Sequence, residues 1–390
     1  MNLKWEKAFL HKYVEINPRE TISKGCISKK IGMDKLQPFC RDIPGYELSE
    51  FTGGSKFRNG DTIMARITPC LENGKTAMVN ILDQGEIGFG STEFIVFRAK
   101  EGLTTPDFVY YLVSSSLVRE PAIKSMVGSS GRQRVQTDVV ENLEISFPSL
   151  PDQAKIASIL KSLDDKIAIN NQINNNLEQQ AQSIFANEFL ISETLPENWI
   201  QSNLIDIANY LNGLAMQKYR PSANETGIPV LKIKELRQGC CDDNSELCSP
   251  NIKRDYIIHD GDVIFSWSGS LLVDFWCGGT CGLNQHLFKV TSSKYDKWFY
   301  YAWTKHHLDR FIAVAADKAT TMGHIKRDEL EKAEVLIPNE ADYNRIGGLL
   351  QPIYDLIIAN RIENKKLAET RDSLLPKLMS GELDVSDIDI

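Results

Sequence analysis

The 390-residue sequence lacks any long apolar segment. No uninterrupted apolar run approaches the about 18 residues that cross a bilayer as a helix. The stretch Met1-Asn-Leu-Lys-Trp5 also lacks the apolar core of a secretory signal peptide. We therefore expect a cytoplasmic protein without a membrane partner. Apolar residues make up 42% of the chain, and this content with this length predicts two domains with large cores, joined by helices.

Motifs for catalysis and for cofactor binding are missing as well. The sequence has no GxxxxGK(S/T) phosphate loop, no His-Glu-x-x-His, no nucleophile elbow and no Asp/Asn-Pro-Pro-aromatic tetrapeptide of amino-methyltransferases. Gly88-Phe-Gly90 continues as Ser-Thr-Glu and so fails the dinucleotide pattern GxGxxG. Asp61 and Glu93 do not form a nuclease motif, because Phe-Ile follows Glu93 in place of x-Lys. These absences predict a chain with no catalytic residues and no cofactor of its own.

Paired cysteine motifs are absent although the chain has eight cysteines. No CxxC occurs, which argues against a zinc site. The residues that could in principle assemble one are Cys240, Cys241, Cys248, Cys277, Cys281 and His286. We interpret the cysteines as reduced, packed thiols and predict no metal.

A basic domain is also absent, since the formal net charge is -8. The region 1–150 is close to neutral, and the tail 382–390 is the most acidic part. Any contact with a nucleic acid must therefore come from local patches of the surface.

What the sequence does contain is an internal repeat. Ile145-Ser-Phe-Pro148 leads into a run with apolar residues three or four positions apart, and Val335-Leu-Ile-Pro338 leads into a second such run at an offset of 190 positions. This spacing is typical of long amphipathic helices of the coiled-coil type, and each needs a partner for its apolar face. We expect the two helices to pack on each other in antiparallel orientation.

Matched asparagines suggest how these helices align. Asn170 and Asn360 occupy equivalent seam positions near the middle of the two runs. Polar residues at seam positions fix the register of a helix pair at a cost in stability. The repeat therefore predicts that Asn170 and Asn360 lie side by side.

The repeat also includes the residues that precede each helix, because the same offset brings Tyr110-Tyr111 onto Tyr300-Tyr301. Residue patterns predict strands at 62–67, 92–98, 143–147, 263–267 and 284–290, and helices at 107–116 and from Asp296. The expected fold class is α+β, with two similar α/β domains separated by two long antiparallel coiled-coil helices. The expected boundaries are 1–147 and 193–337 for the domains, and 148–192 and 338–390 for the helices with the tail.

Three features make a specific resemblance. They are the run Arg371-Asp-Ser-Leu-Leu-Pro-Lys-Leu-Met-Ser-Gly-Glu-Leu383, the doubled Ile/Phe-Pro entry into a long helix, and Ile67-Thr-Pro-Cys70 followed by Glu72-Asn-Gly-Lys75. With these features the chain resembles, over nearly its whole length, the specificity subunit of type I restriction-modification systems. The second copy departs from the pattern at its helix entry, where Asp342-Tyr343 replaces the Asp152-Gln153 of the first copy.

The resemblance implies a non-catalytic subunit with two target recognition domains, each reading one half of a bipartite, asymmetric sequence in double-stranded DNA. It implies that the helices set the spacing and dock two methyltransferase subunits, and that restriction/translocase subunits join the full complex. S-adenosylmethionine, ATP and Mg would then be cofactors of those partners. Two alternatives stay open: a coiled-coil scaffold with two domains that bind ligands other than DNA, and a single-chain DNA-modifying enzyme.

Polar clusters in loop-like stretches are the candidate DNA contacts, since guanidinium groups can bind guanine or phosphate bidentately and small residues expose the backbone. In the first domain the candidates are Thr68, Glu72, Asn73, Lys75, Ser91, Thr92, Glu93, Arg132, Gln133 and Arg134. In the second domain they are Ser266, Ser268, Ser270, Asn284, Gln285, His286, Lys318, Thr320, Thr321, His324 and Lys326. The alternative interpretation is a solvated loop or a capped strand end at each place.

Overall fold

The computed structural model describes residues 5–191, 194–317, 325 and 327–388. The chain forms two compact units, of which the first comprises Met1–Ala168 and Leu367–Ile390 and the second Ile169–Lys366. Within the described residues, no helix combines the length and the apolar character needed to cross a membrane.

The first unit contains a mixed set of short strands and helices. Its strands are β1 (Glu6–Phe9), β2 (Val14–Ile16), β3 (Ile27–Ile31), β4 (Glu47–Glu50), β5 (Lys56–Phe57), β6 (Thr62–Ala65), β7 (Thr76–Met78), β8 (Gly88–Gly90), β9 (Phe94–Ala99) and β10 (Glu144–Phe147). Its helices are α1 (Leu10–Tyr13), α2 (Pro106–Ser114), α3 (Ser116–Lys124), α4 (Thr137–Glu141), the first part of the long helix α5 (Leu150–Phe189) and the last part of the long helix α11 (Glu340–Met379).

Two four-stranded sheets and a two-stranded ladder organise this unit. The strand orders are β2-β9-β6-β7, β4-β3-β8-β5 and β1-β10. All pairs are antiparallel except β3 with β8, which is parallel. Helix α2 starts where the Thr105 side chain accepts a hydrogen bond from the Phe108 backbone N–H, 3.3 Å away, and Pro106 occupies the first turn. Its buried face, which includes Tyr110 and Tyr111, forms the main core with β6 and β9.

The second unit contains the corresponding elements. Its strands are β11 (Ile200–Asn203), β12 (Asn209–Asn212), β13 (Ile228–Leu231), β14 (Leu247–Cys248), β15 (Ile257–Ile258), β16 (Val263–Ser266), β17 (Leu272–Phe275), β18 (Cys281–Leu283), β19 (Leu287–Thr291) and β20 (Glu334–Ile337). Its helices are the second half of α5, α6 (Leu204–Ile207), α7 (Ile233–Gln238), α8 (Lys297–His306), α9 (Leu308–Asp317), α10 (Arg327–Glu331) and most of α11 (Glu340–Met379). Short 3-10 helices lie at Met216–Lys218 and Arg254–Tyr256.

The topology of the second unit repeats that of the first. Its sheets have the orders β12-β19-β16-β17, β14-β13-β18-β15 and β11-β20, and again the inner pair β13 with β18 is parallel. Helices α5 and α11 each contain 40 residues and begin 190 positions apart. The predicted internal repeat and the predicted α+β class are therefore confirmed.

Helices α5 and α11 run antiparallel within each unit. In the first unit, Arg371 Nη1 donates to Asp164 Oδ1 over 2.7 Å, and the Tyr111 hydroxyl donates to Asp164 Oδ2 over 2.7 Å. In the second unit, Arg345 Nη1 donates to Glu188 Oε1 over 2.7 Å. Residue numbers rise along one helix as they fall along the other, which confirms the predicted orientation.

The asparagines lie at this helix interface but pair differently from the expectation. Asn170 Nδ2 donates to Asn364 Oδ1 over 2.8 Å, and Asn360 Nδ2 donates to Asn174 Oδ1 over 2.9 Å. Asn364 is four positions from Asn360, and Asn174 is four positions from Asn170, so each bond lies about one helical turn away from the direct contact of Asn170 with Asn360. The two bonds are equivalent under the offset of 190 positions, since Asn170 corresponds to Asn360 and Asn174 to Asn364.

Candidate functional site

Several candidates of the first domain meet where β6 ends. The Arg66 backbone N–H donates to the Glu93 carbonyl over 2.9 Å, and the Arg66 carbonyl accepts from the Val135 N–H over 2.8 Å. Two residues further on, the Thr68 N–H donates to the Gln133 carbonyl over 3.0 Å. Three segments that are distant in the sequence are thus held side by side by their backbones. They bring Thr68, Glu93, Gln133 and Arg134 together, as well as Arg66, which the sequence analysis missed.

The last of these segments is one arm of a tight hairpin, residues 127–134, which we call the arginine hairpin. Val127 and Arg134 exchange both backbone hydrogen bonds, with N–O distances of 3.0 and 2.9 Å. Gly128 adopts a positive φ of 135°, and an added Cβ would lie 3.0 Å from the Arg132 carbonyl oxygen, so the turn requires glycine there. Arg132 is exposed at the tip, and its side chain makes no hydrogen bond to the described part of the chain.

Arg134, at the base of the arginine hairpin, forms a bidentate ion pair with Glu93. Its Nε lies 3.0 Å from both carboxylate oxygens, and its Nη2 lies 2.7 Å from Oε1. Hydrogen bonds from Arg134 lower the pKa of Glu93, and the bonds to Glu93 raise the pKa of Arg134. The pair is therefore ionised at neutral pH. The Arg134 side chain is 47% exposed and that of Glu93 24%, so the pair faces solvent.

Other candidates of the first domain have bonds within the unit. Lys75 Nζ donates to the Met33 carbonyl over 2.8 Å, which ties two loops together. Ser91 Oγ accepts from the Glu93 backbone N–H over 3.1 Å and fixes the entry into β9. The exposed candidates, besides Arg132 and Arg134, are Glu72, Asn73 and Thr92.

The serine cluster of the second unit is a turn between β16 and β17. Ser266 Oγ donates to the carbonyls of Ser268 and Ser270, over 3.3 and 2.9 Å. Ser266 and Ser268 are 0% and 2% exposed, and the buried Ser266 hydroxyl stabilises the turn from inside. Ser270 is exposed, and its Oγ accepts from Arg237 Nη1 over 3.2 Å.

Trp267 lies within this turn and was missed by the sequence analysis. Its carbonyl accepts from the Ile325 N–H over 3.1 Å, as the Arg66 carbonyl accepts from Val135, so Trp267 occupies the position of Arg66. Its indole Nε1 donates to Asn212 Oδ1 over 3.0 Å, and its ring stacks on Phe288 with centroids 5.6 Å apart. An aromatic residue between two serines directly after a strand was the available signal.

The candidates that precede β19 lie beside Trp267. The His286 ring centroid is 6.2 Å from that of Trp267, and the Gln285 amide nitrogen lies 3.3 Å from His286 Nε2. Asn284 is 5% exposed, and its Oδ1 accepts from the His286 backbone N–H over 3.2 Å. The candidates Lys318, Thr320, Thr321, His324 and Lys326 lie outside the described residues.

The cysteines of the second unit do not gather around a metal-binding position. Burial raises the pKa of Cys248 and of Cys277 to about 11, so both are protonated thiols at neutral pH. In the described ranges, no group of three or more His, Cys, Asp or Glu side chains is placed to hold a metal ion.

Comparison with known proteins places these features in context. The family model described as type I restriction modification DNA specificity domain matches residues 2–179 and 196–369. The chain is 27% identical over 314 residues to the type I restriction enzyme MjaIX specificity subunit of Methanocaldococcus jannaschii, covering 74% of this chain and 71% of that protein. It is 21% identical to the HindI specificity subunit of Haemophilus influenzae, covering 88% and 89% of the two chains.

A solved structure shares the fold. The crystal structure of the type I restriction-modification system S subunit from M. genitalium aligns with a TM-score of 0.56 at 14% identity. The alignment covers 97% of this chain and 96% of that one.

Proposed function

This chain belongs to the type I restriction-modification DNA specificity family, and we propose that it is the subunit that reads the DNA target in such a system and performs no catalysis itself. The observation that carries the proposal is one sheet topology built twice with different side chains at the equivalent surface positions. A repeated frame with divergent surface residues is what two readers of two different sequences require.

Residues 1–147 and 193–337 are, in this proposal, the two target recognition domains. At the end of β6 the first domain presents Arg66 and Glu93, whereas the second presents Trp267 and His286 at the corresponding places. Charged groups and aromatic rings select different base edges and groove shapes. Each domain therefore reads its own half-site, and the target is bipartite and asymmetric double-stranded DNA.

Residues 148–192 and 338–390 are spacers that set the distance between half-sites and dock two methyltransferase subunits. Helices of 40 residues are about 60 Å long, longer than the about 34 Å of one DNA turn. Apolar side chains stay exposed on both helices, with Ile169 50%, Leu349 46% and Leu356 46% exposed, which fits a docking role. Restriction/translocase subunits complete the assembly, and S-adenosylmethionine, ATP and Mg serve those partners.

Selection from a random DNA library tests this function. The full chain, copurified with the methyltransferase subunit of its own system, is incubated with duplexes that carry a randomised central region, and the bound fraction is sequenced. We expect enrichment of two short conserved blocks separated by a gap of fixed length and free sequence. Equal recovery of all sequences by a correctly folded complex would refute the proposal.

A further inference from the structure

We propose that Glu93 is a positioning residue that holds Arg134 as the reader of a guanine in the first half-site. This inference rests on the proposed function and extends it to one residue pair and one class of base. It follows from which face of the Arg134 guanidinium is occupied, which face is free, and how the two side chains are anchored.

The occupied face of Arg134 is the side that carries Nε and Nη2. Both atoms donate to the Glu93 carboxylate, at 3.0 and 2.7 Å. Nη1 makes no hydrogen bond to the residues that the structure describes. Nη1 and the second proton of Nη2 therefore form a free pair of parallel donors at the end of the side chain. This pair matches the O6 and N7 acceptors that guanine presents in the major groove.

The carboxylate also favours a base edge over a phosphate. A phosphate that approached Arg134 would bring its full negative charge close to Glu93, whose own charge is fixed by the ion pair. Guanine O6 and N7 carry only partial charges, so they meet less repulsion. Arg132, exposed at the tip of the same hairpin, has no carboxylate bonded to its side chain within the described residues, and it fits a phosphate contact.

Both partners are held before DNA binds. The Glu93 carbonyl accepts from the Arg66 N–H, and Arg134 is fixed through both of its backbone hydrogen bonds to Val127. A side chain that is already oriented loses less conformational freedom on binding. The arrangement is that of a pre-oriented base reader supported by a neighbouring group.

Three variants separate base reading from charge and from stability. Arg134→Lys keeps the positive charge but removes the paired donors of the guanidinium group. Glu93→Gln keeps the shape of the side chain but removes the negative charge that orients Arg134. Arg132→Ala is the control from the same hairpin. Each full chain is copurified with its methyltransferase subunit and presented with the random duplex library. Binding of each complex to the most enriched duplex is then measured between 50 and 200 mM salt, and the thermal unfolding of each complex is recorded.

We expect Arg134→Lys to reduce the preference for guanine at one position of one block by about 5- to 100-fold, the range of a bidentate contact. Glu93→Gln should reduce the preference at that same position by a smaller factor and tighten binding to non-target duplexes. Arg132→Ala should keep every base preference and lower the salt slope by about one. The other positions of the block, and the whole second block, serve as internal controls for folding.

The outcomes separate this inference from the function on which it rests. If the unaltered complex selects no sequence, the proposed function fails. If it selects two blocks and Arg134→Lys changes no position, or weakens all positions of a block equally, the inference fails and the function stands. If Glu93→Gln leaves the guanine preference unchanged while Arg134→Lys abolishes it, Arg134 reads the base without positioning by Glu93, and the inference is overturned.

Discussion

Asn360 donates a hydrogen bond from Nδ2 to Oδ1 of Asn174 over 2.9 Å, and both side chains are buried between the two long helices. A buried side-chain amide that loses its hydrogen-bond partner destabilises the folded state by the full free energy of its desolvation. We expect Asn360→Leu alone to lower the free energy of unfolding by about 1 to 3 kcal/mol. Urea unfolding of the full chain measures this.

The double variant Asn174→Leu/Asn360→Leu provides the second half of that test. It should regain most of the lost stability, because an apolar pair replaces a polar pair and no buried amide is left without a hydrogen-bond partner. Asn176→Leu is the control and should have little effect, because Asn176 is exposed on α5, the helix that carries Asn174. A double variant that is as unstable as the sum of both single variants would contradict a direct pair.

Two adjacent glycines of α11 should respond in opposite directions to alanine. A Cβ on Gly347 would lie 2.8 Å from Nε1 of Trp298, a ring that is 1% exposed and cannot move aside. A Cβ on Gly348 would meet no atom within 4 Å. We expect Gly347→Ala to destabilise the second unit by about 1 to 3 kcal/mol, and Gly348→Ala to stabilise it by about 1 kcal/mol through helix propensity.

Circular dichroism during thermal unfolding compares the two glycine variants directly. The pair controls for the gain in helix propensity, which is the same at both positions. A stabilised Gly347→Ala variant would show that Trp298 does not pack against this turn of the helix.

Burial lowers the pKa of His307 to about 4, and its Nε2 donates to the Glu334 carbonyl over 2.8 Å. The unfolded pKa is about 6.5, so the unfolded chain binds this proton more tightly than the folded chain. The stability contributed by the neutral ring is complete above pH 6.5 and is lost as the pH falls toward 4. We expect wild-type unfolding free energy to fall between pH 7 and 4.5 by about 2 kcal/mol more than that of His307→Gln.

Urea unfolding at several pH values measures the difference between His307→Gln and the wild type. Between pH 7.5 and 8.5 the two proteins should show parallel curves, since His307 is neutral in both states there. Parallel curves below pH 6 as well would contradict a buried neutral His307.

Lengthening both helices should lengthen the gap in the DNA target. Gln172 and Ile362 lie midway between the two bonded asparagine pairs, so insertions after these residues face each other across the two helices. Four residues in each helix add about 6 Å, which corresponds to about two base pairs at about 3.4 Å each. Library selection should return the same two blocks with a longer gap. Four residues inserted after Gly85, in an exposed loop, are the control, and a gap that ignores helix length would rule out the spacer role.

The sequence predicted the repeat because long amphipathic helices show a regular spacing of apolar residues along the chain. Helices α5 and α11 begin 190 positions apart, and the predicted strand at 62–67 is observed at Thr62–Ala65. The parallel pair of β3 with β8 was not foreseen, since Ile31 and Gly90 pair across 59 positions without a local pattern. The contact of Glu93 with Arg134 was missed for the same reason. The sequence did not show which asparagines bond each other, because a repeat shows which residues are equivalent but not which of them face each other.

Exchange of one domain tests whether each domain reads its own half-site of the DNA target. Residues 1–147 are replaced by the corresponding residues of a relative with a known target, and the chimera is expressed with its methyltransferase subunit in cells that lack other DNA methylation. Methylated positions are mapped by long-read sequencing across the genome. We expect one half-site to change to that of the relative, while the other half-site and the gap length remain those of the parent chain. A change in both half-sites, or methylation without a bipartite consensus, would show that the two domains do not each read one half-site.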